Sequence, residues 1–499
     1  MEFFSFLDLS PPTSATFLFA IFAILISIPI YQAFSSPLSR VPGPLLCRFS
    51  PLWLWYHSYL GDEVTQIERL HKTYGPIARI GPNECSISDG IALNAIYSEH
   101  GGFRKADCYE NFDFEGHATI FSARDGEYRA RRSKAVAPLF STANIRAGQA
   151  AIEACVGRFV ERVRSEARTG EPVDVLNLSR SLALDAVSSF LFRTPYGGIE
   201  EQGGRLSASV FVDMLVETGR FFSLPHYLFV AVNWLNAKLF PSVDAAAEAG
   251  GAKLDEFARR IVKDTPPDED TFQGRLKKAG VSDDENAVQV MDLMFAGTDS
   301  TGTNLSKLIW RLAKSPQIYQ RLREEVASAD ATDPSLSYNP QSLKYLDAVV
   351  REGLRMGMST PTRLPRVVPK GGWSFNGFYL PEDTVVGCQL HTLHFNPEVF
   401  PDPFKFQPER WLDGPSPQMQ RDWIPFSLGQ RGCLARNLAQ LELQLALRAI
   451  ARTNLLEGAS PIGRDVEICE WFNSKLVGDR LELVWHAETV RVSANASLT

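Results

Sequence analysis

The sequence has no CxxC pair, no HExxH motif and no GxGxxG fingerprint, and no part of it is repeated or of low complexity. A structural zinc site, a zincin-type protease and a built-in dinucleotide domain thus lack their sequence supports. The seven cysteines, at 47, 85, 108, 155, 388, 433 and 469, are scattered singly. Such an odd, unpatterned set excludes a disulfide framework and reads as reduced thiols on the cytosolic side. A basic excess is missing too: the net charge is −7, against nucleic-acid binding.

Charge disappears altogether between Asp8 and Arg40. Within that gap, ATFLFAIFAILISIPIYQAF (residues 15–34) is long and apolar enough for one membrane span. A cleavable signal would need a basic leader and a shorter apolar core. Here Glu2 and Asp8 precede the segment and Arg40 and Arg48 follow it, so the expectation is a retained anchor with the body in the cytosol. Residues 1–40 are then the anchor and the start of a linker stiffened by Pro42 and Pro44, and residues 41–499 a single domain. The sequons at Asn177, Asn304 and Asn495 are silent in that topology.

What is present is a globular composition, 44% hydrophobic and 22% charged. YGPIARIGPNECSISD, from Tyr74, reads as a hairpin, and helical periodicity dominates from about 125 to 355. Strand-like pieces return at 371–390, followed by a proline-rich coil at 395–411 and a last apolar-striped helix after Leu434. The expected fold is mainly α with a small β-sheet portion.

FSLGQRGCLAR places Cys433 just before that last helix, where amide N–H groups favour a thiolate. On its own this thiol is a nucleophile, a soft metal ligand or a buried structural residue. HTLH, His391 to His394, has helical spacing but stands among strand and coil signals, so it is a poor metal site. One thiolate without protein co-ligands suits a haem iron, because the porphyrin fills four positions.

The long helical pattern Val290–Lys314 carries GTDSTGT at its centre. Two interior glycines weaken a helix by roughly 1 kcal/mol each relative to alanine. Either a ligand approaches there, with Asp299, Ser300 and Thr301 as a proton relay, or another helix packs closely against the glycines. REGLR puts Glu352 and Arg355 on one helix face, a pair of little meaning alone.

Taken in order, AGTDST, EGLR, FQPERW and FSLGQRGCLA resemble the cytochrome P-450 superfamily of haem-thiolate monooxygenases, over nearly the whole chain after the anchor. The resemblance implies haem b between the long central helix and the cysteine loop, with Cys433 as the iron's axial ligand. It implies that Phe426 packs near the sulfur, that Gly429 permits the turn, and that Arg431, Arg366, Arg132 and Tyr128 bind the propionates. Glu352, Arg355 and Arg410 would form a structural triad. The chain departs from the family pattern at Ala435, where a glycine is usual, at Ser300, where a threonine is usual, and at Tyr128, where tryptophan or histidine is usual.

O2 would be the co-substrate, and electrons would come from NADPH through a separate NADPH-cytochrome P-450 reductase, with cytochrome b5 as a second donor. Arg129, Arg131, Arg132, Lys134, Arg436 and Arg448 are the candidate docking cations. The expected location is the endoplasmic reticulum membrane, single-pass, with the lipid bilayer as a partner. Residues 105–122 match the family's variable active-site loop and 221–230 its substrate entrance, favouring a lipophilic small molecule. A terpenoid, polyketide or alkaloid of fungal secondary metabolism is the expected type. The alternatives are a haem-thiolate isomerase or dehydratase, and a non-catalytic haem-binding protein.

Overall fold

The computed structural model describes residues 33–486 except 240 and 333–341, with isolated helical positions at 17, 19, 21, 27, 30 and 31. Most of the 15–34 segment and the sequon at Asn495 lie outside the described residues. Among the described residues no helix is long and apolar enough to cross a membrane.

One helix, Asp283–Lys314, organises the rest. Its start is set by Ser282, whose hydroxyl accepts from Glu285 N, and by Asp283, Asp284 and Glu285 in the first turn; Arg311 and Lys314 lie in the last. These charges complement the helix dipole at both ends. The helix runs unbroken through GTDSTGT for a reason of packing. A Cβ on Gly297 would stand 2.8 Å from Val187 Cγ2, and one on Gly302 would stand 2.7 Å from Arg180 Cα. The glycines thus admit the helix Val175–Leu191, which is buried along nearly its whole length. Gln149–Ala167 and Arg436–Arg452 complete the bundle, with Leu438, Leu441 and Leu445 in its core.

The expected hairpin is Ile77–Gly81 with Glu84–Ile87, antiparallel with Ile77 opposite Ile87. Val385–Cys388 runs parallel to its second strand, and Arg366–Val367 and Arg104–Lys105 extend the sheet to five strands. Trp373–Phe375 and Phe378–Leu380 form a separate hairpin. HTLH forms a one-turn helix, Leu390–His394, contrary to the strand and coil signals around it. Asn177 and Asn304, the described sequon residues, are buried.

Glu442, on the last described helix, is buried and its Oε1 has no hydrogen-bond partner among the described residues. Burial pushes its pKa up to about 8. The folded state therefore binds a proton that the unfolded chain releases above the ordinary carboxylate range, so stability falls as pH rises from about 4.5 to about 8. The slope from this group reaches at most about 1.4 kcal/mol per pH unit. In Glu442→Gln that slope should vanish, and melting curves at pH 5 and pH 8 test it; an unchanged pH dependence would refute the assignment.

Candidate active site

The cysteine loop is closed by two backbone bonds, Gly432 N to Gly429 O at 3.0 Å and Cys433 N to Phe426 O at 2.9 Å. Gly429 sits at φ +65, and a Cβ there would come within 2.1 Å of Tyr97 O. Only glycine satisfies both constraints. The loop delivers Cys433 just before the helix Arg436–Arg452, whose N-cap is Ala435. The thiol is not depressed as helix-end reasoning expects. Burial pushes it up, and the Ala435 amide and Arg436 only partly oppose that. The reason is position: protein surrounds the sulfur, and what it exposes faces a cavity that it helps to line.

That cavity measures about 320 Å³, while a single water needs only about 10–15 Å³ on this measure. It is a binding site, not a packing defect. Phe426, Ala435, Ser300 and Thr301 line it beside Cys433. So do four cations, Lys105, Arg129, Arg366 and Arg431. Lys105 and Arg366 are directly opposed across the antiparallel strand pair, which is unfavourable for like charges. Arg431 donates to Ala123 O at 2.6 Å and Arg124 O at 3.2 Å, and Arg366 to Tyr109 Oη at 3.2 Å. Burial first, then Arg129 and Arg366, lower the Arg431 pKa to about 10. Burial and the three arginines likewise lower Lys105. Such a cluster calls for an anionic guest. A flat group bearing two carboxylates on one edge, held through a metal by one thiolate, fits these residues.

Arg132 and Tyr128 stand elsewhere. Both bond Glu285 of the central helix, Arg132 through Nε and Tyr128 through its hydroxyl at 2.8 Å, and neither lines the cavity. The two residues expected at the propionates are thus absent from the cavity lining, whereas Arg129, the residue after Tyr128, and Lys105 belong to it. Glu285 is the physical reason, since its carboxylate captures the guanidinium and the phenol. The same partner removes Arg132 from the docking set, and Arg448 is buried on Asp330. Arg131, Lys134 and Arg436 remain exposed.

Ser300 lines the cavity while its hydroxyl donates to Ala296 O at 2.8 Å. Asp299 does not line it. Its carboxylate lies 3.5 Å from Arg180 Nη2, accepts from Asn473 Nδ2 at 2.8 Å and from Thr303 Oγ1 at 3.3 Å. Burial raises its pKa, against Arg180 and Asn473. Asn473 itself lines the cavity, so it joins the acid to the site. No periodicity or motif pointed to Asn473, which arrives from a turn 174 residues away.

Behind the site, Arg355 donates twice to Glu352, at 2.9 Å each, and Arg410 Nε donates to the same carboxylate at 3.0 Å. Trp411 Nε1 and Gln407 N add two more donors. The 105–122 loop supplies Tyr109, Phe112, Phe114, Ile120 and Phe121 to the cavity wall. Phe222 packs on Phe112 and Phe472, with centroids 5.1 and 4.4 Å apart. His394, within HTLH, accepts from Ile424 N through Nε2, and no cluster of three or more potential metal ligands occurs among the described residues.

The cytochrome P450 family model matches residues 41–456. Cytochrome P450 monooxygenase mfmF of Annulohypoxylon moriforme is 38% identical over 496 residues, covering 93% of this chain and 98% of that protein. Cytochrome P450 monooxygenase oblB of Emericella variicolor is 32% identical, with 89% and 86% covered, and the fusicoccadiene C-8 hydroxylase of Alternaria brassicicola 28% identical, with 85% and 86% covered. This chain belongs to the cytochrome P450 family and is a monooxygenase that uses haem b, O2 and electrons passed from NADPH by a redox partner.

Proposed function

We propose that this enzyme oxygenates a terpenoid held under the aromatic wall of the 105–122 loop, with Cys433 as the residue that would hold the haem iron. The carrying observation is the meeting, in one cavity, of a surrounded thiol, four cations and the rings of Tyr109, Phe112, Phe121 and Phe472. The name of the fusicoccadiene C-8 hydroxylase supports a terpenoid substrate. Haem, when bound, would supply dioxygen activation. Arg129, Arg366, Arg431 and Lys105 would hold its carboxylates. The apolar wall excludes water and orients the substrate. Asp299, oriented by the Asn473 amide, would return protons with the help of the Ser300 or Thr301 hydroxyl. Microsomes holding the enzyme and a reductase, fed a panel of diterpenes under labelled O2, should give product with one labelled oxygen; unlabelled product would contradict the reading.

Asp299→Asn should cut product formation at least tenfold more than it cuts haem loading, roughly 1.4 kcal/mol of transition-state stabilisation. Equal losses would make Asp299 structural.

The finer partners belong to the same proposal: the endoplasmic reticulum membrane, one span with the body in the cytosol, and NADPH-cytochrome P-450 reductase with cytochrome b5. Two exposed apolar surfaces support a membrane-facing side, Leu45, Leu46, Leu52, Tyr56 and Tyr59 on one, Tyr227, Val230, Trp234 and Leu239 on the other. Tyr59 of the first has its ring centroid 5.8 Å from that of Phe221, which precedes the helix His226–Leu239 carrying the second. Arg131, Lys134 and Arg436 are the docking cations that remain. Reversing Arg131 and Lys134, the two away from Cys433, to glutamate should lower reductase-supported turnover and its salt sensitivity while leaving peroxide-supported turnover intact. A parallel loss of both activities would contradict this.

A further inference from the structure

Among the described residues lining the cavity Asp292 is the one acidic side chain, and nothing above uses it. It belongs to the central helix and is only 8% exposed. The Thr119 hydroxyl, Lys105 and the Phe121 amide draw its pKa down against burial, which leaves it at about 6. A carboxylate has about four acceptor positions, so capacity remains on the cavity side. Lys105 gives one of its three donors to Phe121 O, with its ammonium 4.0 Å from the ring centroids of Tyr109 and Phe121, and no hydrogen bond from it to Asp292 is formed among the described residues. Near Asp292 the wall is Ile120, Phe121 and Leu293, with Gln289 one turn earlier held by Ile120 N and Ala118 O. A hydrocarbon pressed against it would strip water from the carboxylate and return nothing.

We propose that Asp292 accepts a hydrogen bond from a hydroxyl that the substrate already carries. The inference rests on the lipophilic-substrate reading above and narrows it to an alcohol. An ammonium guest would share the cavity with Lys105, Arg129, Arg366 and Arg431, so the neutral hydroxyl is the better match. Asp292 and Ser300 are eight residues apart, about 12 Å of helix rise. The hydroxyl is therefore anchored about two turns along the helix from Ser300. A reaction that installs a hydroxyl, by oxygenation or hydration, must precede this one.

The test is spectral titration of the haem-loaded full chain with geranylgeraniol, farnesol and cedrol, each beside its parent hydrocarbon. In the unmodified enzyme at least one alcohol should bind about tenfold tighter than its hydrocarbon, the scale of one hydrogen bond to a charged group. Asp292→Leu should abolish that preference with hydrocarbon binding retained, and Asp292→Asn, which keeps an acceptor and the size, should reduce it. Equal weakening of alcohol and hydrocarbon in both variants would make Asp292 a fastener of the 119–121 loop and overturn the proposal. An unmodified enzyme without any alcohol preference would overturn it as well. Binding of no member of either class would overturn the lipophilic-substrate reading itself.

Discussion

Cys433→Ala is expected to fold normally and to have no measurable reductase-supported turnover. The side chain projects into the cavity, and its removal deletes one sulfur from the wall without touching the two backbone bonds that close the loop. Melting of the haem-free proteins should differ by no more than about 1 kcal/mol equivalent, as for other substitutions that break no buried network. Activity should vanish because no second soft ligand is at hand: the other cysteines do not line the cavity, and His394, which does, is held by Ile424 N and the Arg355 carbonyl. Circular-dichroism melting of the haem-free proteins and product assays after haem loading separate the two effects. Retained turnover would remove Cys433 from the chemistry.

Glu352→Ala should produce the largest loss of stability of any single substitution proposed here. Glu352 and Arg355 are fully buried, and the carboxylate is the common acceptor for Arg355, Arg410, Trp411 and the Gln407 amide. Deleting it strands two guanidinium groups in the interior, a defect on the order of 3–5 kcal/mol. Arg355 also donates to His394 O and Pro403 O, and Arg410 to Pro401 O, so the proline-rich coil loses its mooring to the helix Lys344–Gly357. Denaturant melts and soluble yield measure this. A variant that melts like the parent would show the triad to be dispensable.

How much of this could be read from sequence depends on how local each cause is. The cysteine loop was legible because its determinants, Phe426 to Ala435, are contiguous and Gly429 is fixed by its own φ. The triad was legible only through the order of four motifs, since Glu352 and Arg355 alone look like any surface pair. The glycines of the central helix were ambiguous, and packing on Val175–Leu191 resolves them, while Ser300 and Thr301 face the cavity. The choice between Arg129 and Arg132 was out of reach. They lie one turn apart on the same helix, and what separates them is Glu285, 153 residues from Arg132. Lys105 and Asn473 carried no local signal: one sits in a two-residue strand, the other in a turn, and each gains its role from a distant partner. The thiol's upward shift was missed because a sequence shows the helix end but not the depth of burial.

The most direct test of the central claim, that Cys433 is the one protein ligand of the haem iron, is the absorption spectrum of the reduced, haem-loaded protein with carbon monoxide. The unmodified enzyme should show a Soret band far to the red of imidazole-ligated haem proteins, and Cys433→His should move it to the imidazole position. A band at the imidazole position in the unmodified protein, or a red band that survives in Cys433→Ala, would contradict the account.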